Sequence, residues 1–144
     1  VRTYAGLNLE TSVFEDAAFP DNIATEAVPM GGEMSGAQSG DQFTLMIEAS
    51  ADPRGAFLDR VQVVKGWLDE AGETQEQVID VAWSGGDSRL DGEGELLSVG
   101  TSVDLQTGLT VNTIGAPSLR VVWRDPAFDH IFGLLKPRTK FEQL

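Results

Sequence analysis

The chain has 144 residues, with ten basic and 23 acidic side chains and a formal charge of −13 at pH 7. It holds no cysteine and one histidine, His130. That excludes disulfides, thiolate metal sites, iron–sulfur clusters, cysteine nucleophiles and a multi-histidine metal centre within the chain. At 41% hydrophobic and 23% charged residues, the composition is that of a folded globular protein, and residues 1–144 are read as one domain.

The acid is unevenly spread. Residues 1–59 carry a net −8, residues 60–100 a net −6 and residues 101–144 a net +1. The first two thirds would repel a phosphate backbone, and Lys136, Arg138 and Lys140 make too small a basic patch to offset that, so no nucleic-acid partner is expected. An anionic membrane surface is disfavoured on the same ground. No apolar run approaches the ~20 residues of a membrane helix, and no signal peptide opens the sequence. A soluble protein is expected, with cytoplasm and periplasm undistinguished.

Residues 15–42 are loop-like, with Pro20, Pro29, Gly31, Gly32, Gly36 and Gly40 among small polar residues. So long a stretch either wraps the surface or hides a short strand near Ala27–Met30. Phe43 to Ala49 alternates and reads as a half-buried strand. Asp52-Pro53-Arg54-Gly55 is a turn. From Leu58 to Leu68 both helical and strand periods fit; the valines and Gly66 favour a strand. Its Val61–Val63–Trp67 face includes Lys65, which must pair with an acid such as Asp80 or snorkel. Asp69 to Glu73 turns the chain. Gln77 to Trp83 reads as a strand, although Thr74 and Gln77 could instead open a helix as a capping box.

Ser84 to Leu97 is polar and glycine-rich. Val99–Leu105, Leu109–Ile114 and Ser118–Trp123 complete the expected strands, and Ile131–Leu135 is a strand or a helical turn. Short strands with turn signals between them predict an all-β fold, an antiparallel β-sandwich of immunoglobulin-like or jelly-roll-like type with a long N-terminal loop segment. Residues 1–42 are the irregular or wrapping part, 43–129 the sandwich core and 130–144 the tail.

Several pieces resemble the carboxy-terminal region of an uncharacterised bacterial family, domain of unknown function 3604. They are Pro29-Met30-Gly31-Gly32, Leu58 through Asp69, Asp80-Val81-Ala82-Trp83-Ser84-Gly85, Val99-Gly100, Asn112-Thr113-Ile114-Gly115-Ala116-Pro117 and Val122-Trp123-Arg124-Asp125-Pro126. Arg2-Thr3-Tyr4-Ala5 is similar to an Arg-x-Tyr-Ala-Thr run ahead of that region, with Gly6 in place of the threonine. The resemblance implies relatives several times longer, with an amino-terminal part like metal-dependent phosphoesterases. The metal ligands of that part have no counterpart here. The tail after Asp129 departs from the family pattern. The expectation is a terminal piece of a larger enzyme-like protein with a replaced tail, of the kind a mobile gene cassette would carry.

Candidate sites are few. Asp87, Asp91, Glu93 and Glu95 invite a calcium reading, because acids at 87 and 91 with Gly92 match three EF-hand positions; Arg89 and Ser98 break the pattern. Ser84 lacks the nucleophile-elbow context, and His130 has no triad around it. Carboxylate pairs such as Asp69 with Glu70 are expected by chance in so acidic a chain. Trp67, Trp83 and Trp123 each fall on an expected strand, as core residues or as an aromatic ligand platform. No catalytic residue and no cofactor are assigned. The first reading is a non-catalytic accessory or interaction module whose exposed apolar surface is met by a protein partner, a second copy or the altered tail. The rivals are a β-sandwich binding carbohydrate or calcium, and a carboxylate-pair hydrolase.

Overall fold

The computed structural model describes residues 1–128 apart from residues 16–18, 20, 24 and 70. Among these residues the protein is all-β and antiparallel. The strands are β1 (Arg2–Leu7), β2 (Val28–Pro29), β3 (Phe43–Ser50), β4 (Arg60–Leu68), β5 (Thr74–Trp83) and β6 (Ser118–Arg124). One sheet has the order β2-β1-β3-β6, and β4 and β5 form a separate two-stranded ribbon. Three short 3-10 turns cover Thr11–Glu15, Asp21–Ile23 and Gly86–Arg89. No helix among the described residues is long and apolar enough to cross a membrane.

β3 sits at the centre, with Leu45 opposite both Ala5 and Trp123, and Met46 opposite Tyr4 and Val122. Alternation sends its residues to two cores. Phe43, Leu45 and Ile47 join Ala5 and Val63 in the first, against which Val61, Val81, Val121 and Trp123 pack. Met46 joins Leu9, Phe14, Ile23 and Ala27 in the second, with Tyr4, Phe19 and Val122 around it. The β4–β5 ribbon therefore covers one face of the sheet, and Leu9, Phe14, Phe19, Ile23 and Ala27 cover the other. This makes a sandwich-like fold with a wrapping N-terminal segment.

Several expectations change. Phe43–Ala49 is a strand but not a half-buried one, because both faces of β3 are covered and Thr44 is wholly buried. β1 lies inside the 1–42 stretch read as irregular, and the short strand near Ala27–Met30 is β2. Thr74 begins a strand, not a helix, since Thr74 to Trp83 pairs with β4 along its length. The strands expected at Val99–Leu105 and Leu109–Ile114 do not form; a single bridge, Val103 to Thr110, stands in their place. Lys65 pairs with Asp125 rather than Asp80. Asp80 is already held by Arg60 at 2.9 Å and by Gln62 at 2.9 Å. Residues 129–144, with His130, Ile131–Leu135, Lys136, Arg138 and Lys140, lie outside the described residues.

Candidate functional site

The segment from Leu96 to Leu119 holds one charged side chain, Asp104, in a chain with 33. Its centre is a hairpin. The N–H of Asp104 donates to the carbonyl of Leu109 (2.9 Å), that of Gly108 to the carbonyl of Asp104 (2.7 Å), and that of Val111 to the carbonyl of Ser102 (2.8 Å). The Asp104 carboxylate accepts the N–H groups of Gln106 (2.8 Å) and Thr107 (3.3 Å). These bonds hold its pKa below the usual carboxylate value, the Gln106 N–H contributing most. Gly108 supplies the left-handed residue (φ +70°) that closes the turn.

The base of the hairpin is fixed. Asn112 donates to the carbonyl of Gly55 (3.2 Å) and accepts the N–H of Phe57 (3.2 Å). Leu58 and Ala116 exchange two backbone hydrogen bonds of 2.9 Å. Gly115 stands at φ +85°, where an added Cβ would come within 2.8 Å of the Phe57 Cβ. An anchored stem thus carries a tip that touches little. Leu105 is 90% exposed, Leu109 67%, Val111 57% and Val103 38%. Scattered single apolar residues on a surface are ordinary; here four stand on one short hairpin.

A second apolar feature is a cleft of about 90 Å³ between the β1–β2 edge and β4. Val28, Met30, Met34, Val63 and Val64 line it, with Ile47 also contributing, and no lining residue is charged.

The sequence-derived candidates fall elsewhere. Asp87, Asp91, Glu93 and Glu95 are all exposed. One oxygen of Asp91 accepts the N–H groups of Glu93 and Glu95, each at 2.9 Å, so this carboxylate shapes a tight turn. Among the described residues no three His, Cys, Asp or Glu side chains gather as a metal site. Arg89 bridges that loop to the ribbon, pairing with Asp59 at 2.6 Å and donating to the buried Ser84.

Trp67, Trp83 and Trp123 are half-buried. Trp67 and Trp83 stand at opposite ends of the ribbon, opposite Gln75 and Arg60, while Trp123 lies in the sheet opposite Leu45. Lys65 Nζ lies 5.7 Å from the centre of the Trp67 ring, and the Trp83 indole donates to the carbonyl of Gly86 (3.1 Å). The Asp69 carboxylate accepts the N–H groups of Ala71 (3.0 Å) and Glu73 (2.9 Å) and so caps the β4–β5 turn. Sequence reasoning read the hairpin as two strands of the sandwich. The signal that marks it is the charge-free run from Leu96 to Leu119.

In comparisons with known proteins, the family model described as "Protein of unknown function (DUF3604)" matches residues 1–131. The match takes in β1 and so reaches further than the pieces between Pro29 and Pro126. No curated protein and no solved structure matches the chain.

Proposed function

The chain belongs to the family of proteins of unknown function DUF3604, and from that premise we propose that it is a non-catalytic accessory or interaction module. Within the family it corresponds to the carboxy-terminal region of longer members. One observation carries the reading: the anchored hairpin that holds Leu105, Leu109, Val111 and Val103 out to solvent. Burying such side chains is worth roughly 25 cal/mol per Å², and among the described residues they stand exposed.

Charge selects the same place. At −13, two molecules repel across most of their surfaces. The Leu96–Leu119 segment, with Asp104 as its one charge, is a stretch where a neighbour meets little repulsion. Four side chains make a contact smaller than the ~1,200–2,000 Å² of stable complexes, so the association is weak and concentration-dependent.

Sedimentation equilibrium of the full chain tests this. Wild type is expected to pair with itself at high concentration. The Leu105→Ser/Leu109→Ser double variant is expected to stay monomeric, with stability within about 0.5 kcal/mol per site because both positions are exposed. A wild type that remains monomeric at the highest concentration reached contradicts the reading.

A further inference from the structure

The hairpin tip and the cleft are both apolar and nearly free of charge, and we propose that the cleft between the β1–β2 edge and β4 receives Leu105 of a second copy of this chain. The inference rests on the interaction reading above and adds the receptor for the hairpin.

Size supports the fit. An apolar cavity of ~150 Å³ takes benzene, which is roughly 25 Å³ per carbon. The 90 Å³ of the cleft suits the four side-chain carbons of one leucine. Chemistry supports it as well. Met30 and Met34, both in the lining, are unbranched and repack readily around an incoming aliphatic group. Val64 and Met30 are exposed at the rim, 43% and 37%, so the entrance is open.

Electrostatics narrows the occupant. The cleft lining is uncharged, and so is the hairpin except for Asp104, whose carboxylate is turned to its own backbone N–H groups. In a chain of this net charge, the cleft lining itself sets no acid against the hairpin. One copy offers one knob and one hole. A two-fold pair then makes two identical contacts and closes, leaving neither feature exposed.

The test uses three single variants of the full chain. Leu105→Ser removes the knob; Val64→Glu and Met30→Glu each place a charge at the rim of the hole. Each is expected to be monomeric in sedimentation while keeping a cooperative melt, and Met30→Glu carries the test if Val64→Glu fails to fold. Mixing Leu105→Ser with either rim variant is expected to restore a mixed dimer in native mass spectrometry. The rim variant's Leu105 then enters the intact cleft of the Leu105→Ser chain.

If the rim variants dimerise like wild type while Leu105→Ser does not, the hairpins meet each other. The cleft proposal then falls and the interaction reading stands. A ladder of species above dimer overturns the closed pair. A monomeric wild type overturns both readings.

Discussion

The Lys65–Asp125 pair shows how single residues hold the two layers together. Lys65 sits on the inward face of β4 and Asp125 just beyond β6, with side chains only 11% and 5% exposed. The Asp125 carboxylate also accepts the N–H of Ala127 (2.9 Å), and its backbone N–H donates to the carbonyl of Phe43 (3.0 Å). Removing one partner of a buried pair strands the other charge away from water. Asp125→Ala is therefore expected to cost about 3–5 kcal/mol in urea unfolding. Lys65→Met/Asp125→Ala, which removes both charges, should cost less than Asp125→Ala alone. Equal losses would show that the pair itself is not what matters. The need for a partner was legible in the sequence, because Lys65 interrupts an apolar face. Its identity was not: Asp80, the acid first named for it, stands opposite Gln62 and is taken by Arg60.

At the scale of elements, β1 and the wrapping segment depend on a missing side chain. A Cβ at Gly6 would lie 2.6 Å from Leu9 Cδ2, so Leu9 fills room that a larger residue at position 6 would occupy. Gly6→Ala is expected to destabilise by about 1–3 kcal/mol through overpacking. Leu9→Ala should cost about 2–5 kcal/mol as a cavity. Thermal melts of the double variant should show a loss smaller than the sum of the two, because each change relieves the other. Strict additivity would contradict the shared space. β3, β4, β5 and β6 were readable because valines, isoleucines and alternation mark them. β1 was not, because Arg2 to Leu7 alternates weakly and is built around small residues. The hairpin was misread for the opposite reason. Alternation appears in Val99–Leu105 and Leu109–Ile114, but period alone cannot distinguish a strand that has a partner layer from one that stands in water.

Across the whole molecule, two electrostatic effects oppose each other. The −13 charge favours expansion, and partial protonation relieves it. Against this, Asp41, Asp69 and Asp104 have pKa values below the ordinary range, chiefly through the backbone N–H groups of Gln38, Glu73 and Gln106 respectively. A carboxylate whose pKa is lower folded than unfolded contributes stability above its unfolded value. That contribution disappears as pH falls through the folded value. Stability is thus expected to hold or rise slightly from neutral pH toward about 5. It should then fall below about pH 4, the unfolded Asp range. The acid-side fall should be shallower in Asp69→Asn, measured by melts across that window, and an unchanged profile would remove Asp69 from the account. The same charge distribution made the candidate surface partly legible: acid dominates the first hundred residues and nearly vanishes from Leu96 to Leu119. What the sequence could not show is that Asn112, Gly115 and Ala116 clamp that segment to the 55–58 loop, so that its apolar residues project instead of packing.

Amide hydrogen exchange of the full chain, dilute and concentrated, reads the hairpin contact itself. If the hairpin is a contact surface, exchange at Ser102–Val111 slows as concentration rises, while the amides of β3, already buried, stay unchanged. Identical exchange of that hairpin at both concentrations would contradict the account.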